Sequence, residues 1–216
     1  MPHARHPHAH LHAQTRTRER RHRLAHEAAR LMAESGIHDF HLAKQKAARR
    51  LGIADDAALP RNSEIQQALR DYQRLFRGQS QPQALQHLRE AALDALQFFA
   101  PFRPLLAGPV ADGTADAQSP VCLHLHPDQP LDLQDWLQRH AIPARRAVRR
   151  LRLDRDRHGD VDAWLFDADD AAFELLVLPS RLQRQAPLSP VDEKPMQRLS
   201  AGQLQRLLDD DQADAG

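Results

Sequence analysis

The stretch that decides the fold is LAGPVADGTADAQSPVCLHLH, which runs from Leu106 to His126. Gly108 and Gly113 bound its first part, and glycine is the residue that most readily adopts the positive φ of a tight turn. From Val121 onward, apolar residues alternate with other residue types, which is the period of a β-strand. The stretch therefore predicts a loop bounded by two glycines that leads directly into a strand.

Downstream of this strand, the sequence changes between helical and strand-like patterns. Residues 130–141 have the apolar spacing of a helix, and three strand-like runs follow them: AVRRLRLD, VDAWLFD and AFELLVLP. The turn ADDA at residues 168–171 predicts that the last two runs form a hairpin. A final helix begins after Ser200 and carries Leu204, Leu207 and Leu208. The fold class predicted for residues 101–208 is α+β.

Upstream of the stretch, apolar residues at helical spacing predict about four helices in residues 17–100. Gly36 ends the first helix, and Asp39 and Gly52 cap the two ends of the second. The third helix is predicted to bury one edge, formed by Ile65, Leu69, Tyr72, Leu75 and Phe76. The fourth helix stops before two prolines. We therefore expect a helical domain in front of the α+β domain.

The two ends of the chain carry opposite charge. Residues 1–16 contain HARHPHAHLHAQ, in which histidine alternates with small residues and proline, so this leader is expected to be disordered. Binding of a transition metal by its imidazoles is the alternative, although the spacing matches no closed site of four ligands. Residues 209–216 read DDDQADAG and are expected to form a solvated acidic tail.

Composition excludes several classes of protein. No apolar run approaches the roughly 20 residues that a membrane-spanning helix needs, and the N-terminus lacks the apolar segment of a secretory signal. The single cysteine, Cys122, excludes an internal disulfide framework. We therefore expect a cytoplasmic protein without a membrane partner.

The stretch from Leu106 to His126 resembles the phosphate loop and first strand of the nucleotidyltransferase superfamily. The family pattern is hG[GS]xxxG followed by five residues and SDhDh, where h is apolar, and Gly108, Gly113 and Ser119 match it. The resemblance implies a mixed sheet and a loop whose backbone amides approach a phosphate closely. It gives as candidate phosphate-binding residues Gly108, Gly113, Thr114 and Ser119.

The chain departs from this family at the metal-binding positions. The family holds two magnesium ions on two aspartates of the first strand and a third carboxylate on a neighbouring strand. Pro120 and Cys122 stand where the two aspartates should be, and neither is a suitable ligand for a hard cation that prefers oxygen. We therefore expect no catalytic residues and a degenerate protein, a pseudoenzyme that binds a nucleotide or an RNA phosphate without turning it over.

Two alternatives stay open. Asp112, Asp116 and Glu174 are acidic candidates, and relocated carboxylates would make the chain an active nucleotidyltransferase that uses Mg²⁺ with a nucleoside triphosphate. Glu174 matches the type of position that carries the third carboxylate. In the other alternative, the glycine loop is only a turn, and the chain is a regulatory module whose protein partner docks on the helical domain.

The chain is also similar to a proteobacterial family without a settled activity, through the blocks AARLMAESGIHDFHLAKQKAARRLG and LPRNSEIQQALRDYQRLF. Some members of that family carry a muramate–alanine ligase label. The chain has no glycine-rich loop ending in GK[ST] for ATP, so the sequence does not support that label.

Seven arginines stand between Arg145 and Arg157. Arg150 and Arg152 are predicted to project together from one face of a strand, as a basic surface for phosphate or RNA. A solvated face that nearby aspartates partly neutralise is the alternative. His124 and His126 share one face of the first strand and are expected to be surface residues, whereas Cys122 is expected to be a buried hydrophobe.

Overall fold

The chain divides into two compact units, residues 1–78 and 79–216. The structure is a computed structural model that describes residues 7–53, 59–78 and 80–214. Residues 1–6 of the His-rich leader lie outside the described residues, and so do the side chains of residues 7–14. The alternative of metal binding by this leader therefore falls outside the part of the chain that the structure describes.

Three helices form the first unit: α1 (Pro7–Ser35), α2 (Phe40–Leu51) and α3 (Asn62–Phe76). The predicted helix ends around Gly36 are confirmed. Gly36 follows α1 with a positive φ of 61°, the Asp39 carboxylate accepts a hydrogen bond from the Leu42 amide at 2.7 Å, and Gly52 closes α2 with φ 63°. Buried leucine, isoleucine, methionine and alanine side chains hold the three helices together.

Two features of the first unit differ from the sequence expectation. The backbone of residues 7–16 is helical rather than disordered, since alanine, leucine, glutamine and arginine are good helix formers that extend α1 toward the N-terminus. Leu75 and Phe76, expected on the buried edge of α3, are 71% and 70% exposed. They lie in the last turn of α3, and the described core of this unit ends at Tyr72.

The second unit is a five-stranded sheet with helices. Its elements, in chain order, are α4 (Ser80–Phe98), β1 (Leu105–Ala107), α5 (Pro109–Asp112), β2 (Val121–Leu125), α6 (Pro130–Arg139), β3 (Arg145–Arg152), β4 (His158–Ala168), β5 (Ala171–Val177) and α7 (Ala201–Asp214). The strand order is β1-β2-β5-β4-β3. β2 and β5 are parallel, and the other neighbours are antiparallel. The α+β fold class and the β4–β5 hairpin are therefore confirmed.

The two faces of this sheet are covered differently. Leu123 and its alternate neighbours on β2 point to the helical face, where they share a core with α4, α6 and α7. Cys122 and His124 alternate with them and point to the second face. A smaller apolar cluster on that face contains Cys122, Val161, Ala163, Leu176, Leu178 and Leu182. Every residue of β2 is buried, so this strand is the centre of the unit.

Three features of the second unit differ from the sequence expectation. α4, expected in a helical domain that ends at residue 100, shares its core with the sheet through Leu96 and Phe99, so the division of the chain falls at Gly78. β1 escapes prediction because three residues are too few to show a period. The acidic tail is helical as far as Asp214, because α7 continues through it. Among the helices of the described residues, none combines the length and the apolar character that crossing a membrane requires.

Replacing Leu123 by alanine is expected to destabilise the second unit strongly. Leu123 is fully buried, so the truncation removes apolar contacts and leaves a cavity, which costs about 2–5 kcal/mol. Leu131→Ala is the matched control, because Leu131 on α6 is 67% exposed and its truncation should cost less than about 0.5 kcal/mol. Urea unfolding, followed by tryptophan fluorescence, measures both. Equal losses in the two variants would contradict this assignment of the core.

Candidate functional site

The loop between β1 and β2 begins with the short helix α5, which stands between two glycines. Gly108 precedes it with φ 72°, and Gly113 ends it with φ 75°, a conformation in which a side chain would be strained. The Pro109 carbonyl accepts hydrogen bonds from the amides of Gly113, Thr114 and Ala115. The predicted turn residues are therefore confirmed as turn residues of a regular loop.

Asp116 and Ser119 lock the second half of this loop. The Ser119 hydroxyl accepts a hydrogen bond from the Asp116 amide at 3.0 Å and donates one to the Asp116 carboxylate at 3.1 Å. That carboxylate also accepts a hydrogen bond from the Gln118 amide at 3.0 Å. Both Asp116 and Ser119 are buried, and so is Thr114. Two of the candidate site residues therefore use their polar atoms to hold the loop in shape.

Two residues of α4 contact the same loop. Gln81 Nε2 donates hydrogen bonds to the carbonyls of Ala115 at 2.8 Å and Gly113 at 3.3 Å. Arg89 Nη2 is 3.7 Å from the position that a Cβ atom of residue 113 would occupy. Arg89 Nη1 also pairs with Asp211 of α7 at 2.6 Å. An acid of the expected solvated tail is therefore part of the folded unit, because a buried guanidinium needs a counter-charge.

The two positions that the resemblance assigns to magnesium lie at the start of β2. Pro120 precedes the strand, and Cys122 is its second residue. Cys122 lies against the glycine loop, since a Cβ atom added to Gly108 would be 3.6 Å from the Cys122 Cβ. Burial raises the pKa of the Cys122 thiol, and the Glu174 carboxylate raises it further. The expectation that Cys122 is buried is therefore confirmed, and its thiol is neutral.

Glu174 lies directly beside Cys122, because the parallel register of β2 and β5 pairs the two residues. The Glu174 carboxylate is bound by Arg149 of β3, whose Nε is 2.5 Å from Oε1. The Glu174 side chain is only 17% exposed, so salt screens this ion pair less than it screens a surface pair. In the sequence, nothing distinguishes Arg149 from the six other arginines between residues 145 and 157. Only the register of β3, β4 and β5 shows which carboxylate it reaches.

The acidic candidates do not converge on one point. Asp112 ends α5, the Asp116 carboxylate accepts the hydrogen bond of Ser119, and Glu174 is bound to Arg149. Within residues 7–53, 59–78 and 80–214, no group of three or more His, Cys, Asp or Glu side chains could hold a metal ion. The geometry of these residues therefore gives no support to a metal site built on relocated carboxylates.

The expectation that His124 and His126 are surface residues is wrong, because both are buried. Burial lowers the pKa of His124 to about 3, and the charges of Arg198 and His126 contribute to the shift. His126 Nδ1 is 3.1 Å from the Arg103 carbonyl, to which it donates a hydrogen bond. The smaller apolar cluster of the second face extends to Leu182 beyond β5. The alternation of residues along β2 does not show that this later segment of the chain packs on the second face.

Most of the seven arginines around β3 are paired with carboxylates. Arg150 and Arg152 line a cavity of about 290 Å³, and Arg152 is paired with Glu193 at 3.0 Å. The other pairs are Arg146–Asp162, Arg149–Glu174 and Arg157–Asp154. Among the described residues, Arg145, Arg150 and Arg155 make no ion pair. A largely neutralised face therefore describes this surface better than a continuous basic one.

No protein-family model matches the chain, and neither a curated protein nor a solved structure matches it. The likeness of Leu106–His126 to the nucleotidyltransferase loop therefore stays a prediction. What the residues themselves provide is a rigid glycine loop, a neutral thiol, and a carboxylate that is already paired with an arginine.

Replacing Ser119 by alanine is expected to destabilise the second unit by about 1–3 kcal/mol, because the buried Asp116 amide loses its hydrogen-bond partner. Ser180→Ala is the matched control, since Ser180 is exposed and its hydroxyl donates a long hydrogen bond of 3.5 Å to the Pro127 carbonyl. Urea unfolding gives the free energy for both variants. A Ser119→Ala variant as stable as the control would show that the hydrogen bonds between Asp116 and Ser119 do not stabilise the loop.

Proposed function

We propose that this protein is nucleotidyltransferase-like and binds a nucleotide or an RNA phosphate without transferring a nucleotidyl group. One observation carries the proposal: the Arg149 guanidinium binds Glu174 directly beside Cys122. In the family that the loop resembles, magnesium ions and three carboxylates would occupy this place. Here one carboxylate is left, and a cation of the protein itself neutralises it.

Arg149 supplies one positive charge where the family has magnesium, but not the chemistry of a metal ion. A guanidinium is always protonated and presents its donors as a planar fork, and Arg149 uses only Nε for Glu174. Its two Nη atoms make no hydrogen bond to the described part of the chain, so they are available to donate to a phosphate. Two metal ions clamp the attacking and leaving oxygens of a displacement, which one arginine does not do. Binding without turnover follows.

The glycine loop lies on the other side of Cys122, and the amides of Gly113 and Thr114 already donate to the Pro109 carbonyl, so the loop supplies shape rather than free donors. Gly108 lies against Cys122, and the bonds between Asp116 and Ser119 and from Gln81 keep the loop in one shape. A loop that is already ordered loses little conformational entropy when a ligand binds. The proposed phosphate site is therefore at the Arg149 guanidinium, whose side chain is 45% exposed, on the side of Glu174 that faces Cys122 and Gly108.

One observation favours a second candidate, a protein-interaction module. Leu75 and Phe76 are adjacent, large and exposed on the first unit, and neighbouring apolar side chains of this kind are typical of docking surfaces. In this candidate function the glycine loop is only a turn. The active enzyme with relocated carboxylates has no comparable support, because the described acids do not converge.

Thermal unfolding of the full chain with each nucleoside triphosphate, in EDTA and in Mg²⁺, tests the proposal. We expect at least one nucleotide to raise the midpoint in EDTA, because the binding charge comes from Arg149 rather than from a metal. A ligand at about 100 times its Kd adds about 2.7 kcal/mol. Arg149→Gln should abolish the gain. Arg155→Gln is the control, because it removes an exposed arginine that has no carboxylate partner among the described residues.

Glu174→Gln separates a binding protein from an enzyme. This substitution removes a negative charge beside the proposed phosphate and keeps Arg149, so nucleotide binding should persist or become tighter. An enzyme with relocated carboxylates gives the opposite result, stabilisation that requires Mg²⁺ and disappears in Glu174→Gln. If no nucleotide stabilises the folded wild type, the phosphate site is refuted, and the exposed pair Leu75 and Phe76 becomes the better supported functional surface.

A further inference from the structure

A cavity of about 610 Å³ lies between α4 and the hairpin that joins β4 to β5. Half of its eight apolar lining residues are phenylalanines: Phe98, Phe99, Phe166 and Phe173. The rings support one another: the Phe98 and Phe99 centroids are 4.9 Å apart in an edge-to-face pair, and Phe166 stacks on Phe173 at 5.1 Å. Cavities that bind small molecules have volumes of about 300–1,000 Å³ and an apolar, often aromatic lining.

The ionisable side chains at this cavity are mostly acidic. Glu90 and Asp94 come from α4 and Asp169 from the hairpin, whereas no described lysine or arginine lines the cavity and His87 is the other ionisable residue there. The side chains of Asp94 and Asp169 make no hydrogen bond or ion pair within the described chain. The Glu90 carboxylate accepts one hydrogen bond, from the side-chain amide of Gln86 at 3.0 Å. Three carboxylates therefore surround an aromatic cavity without a cation of the described chain to neutralise them.

Two of these acids are neighbours on one face of a helix, and all three are exposed. Glu90 and Asp94 stand at positions i and i+4 of α4, where like charges repel each other and destabilise a helix. Asp169 adopts φ 49° in the turn of the hairpin, so the backbone fixes its position at the edge of the cavity. A cation bound in the cavity would reduce the repulsion between Glu90 and Asp94.

We propose that this cavity binds an organic cation, an amine or quaternary ammonium group on an apolar body. Aromatic faces attract a cation, the carboxylates of Glu90, Asp94 and Asp169 add an attractive charge, and the apolar body fills the space lined by phenylalanine rings. The same charges repel an anion such as a nucleotide. This site is therefore separate in its ligand chemistry from the proposed phosphate site, and it does not depend on that proposal.

Titration of the full chain with 4-phenylbutylamine, followed by ¹⁵N NMR, tests the site, with 4-phenylbutanol and 4-phenylbutyrate as the neutral and anionic probes. We expect saturable shifts that map to the α4 and hairpin residues of the cavity. The amine should bind about tenfold more tightly than the alcohol, and the butyrate should not bind. Added salt should weaken binding of the amine and leave binding of the alcohol unchanged.

Three substitutions test whether the carboxylates at the cavity attract the amine. Asp94→Asn and Asp169→Asn should each weaken binding of the amine about threefold or more. Asparagine suits position 169 because it also adopts a positive φ. Asp160→Asn, near the opposite end of β4, is the matched control and should have no effect. The proposal is overturned if amine and alcohol bind equally, if the two cavity variants bind like the wild type, or if no shift saturates below about 10 mM amine.

Discussion

The second unit depends on one constraint, the burial of β2 on both faces. All five of its residues are buried between an antiparallel neighbour and a parallel one. On the helical face, Leu123 joins the main core. On the second face, burial raises the pKa of Cys122 and lowers the pKa of His124, so both side chains are neutral. A strand in this position tolerates an ionised side chain only where a partner charge lies within reach.

This constraint connects the uncharged residue at position 122 with the pair of Arg149 and Glu174. A carboxylate at the buried position 122 without a metal would be an ionised group out of contact with water, which costs several kcal/mol. A neutral thiol avoids that cost. The carboxylate that is present, Glu174, has the Arg149 guanidinium as its partner. The proposed ability to bind phosphate and the proposed loss of metal chemistry therefore have the same physical origin.

The parts of the fold that sequence could predict are those with local signals. The alternation in β2 and β5 is visible along the chain, and the ends of α2 are marked by Asp39, which bonds the Leu42 amide, and by Gly52 with its positive φ. β1, the packing of α4 on the sheet and the burial of His124 could not be predicted, because contacts between distant segments decide them.

The candidate site also contains some features that have a local sequence signal and others that depend on contacts between distant segments. Gly108 and Gly113 could be identified, since a tight turn needs residues that accept positive φ. The mutual hydrogen bonds of Asp116 and Ser119 could not, because the same residue types also suit phosphate or metal binding. The partner of Arg149 depends on strand register, and a slip of one residue would move its side chain to the other face of the sheet.

Binding of Mn²⁺ to Cys122→Asp, with and without Arg149→Gln, tests most directly whether Arg149 stands in the place of a metal. Electron paramagnetic resonance measures bound Mn²⁺, and thermal unfolding shows whether each variant is folded. We expect Cys122→Asp alone to bind no more Mn²⁺ than the wild type, because the guanidinium repels a cation. The double variant places carboxylates at positions 122 and 174 side by side on β2 and β5 and should bind the ion. Equal binding by both variants, or none by a folded double variant, would contradict this account.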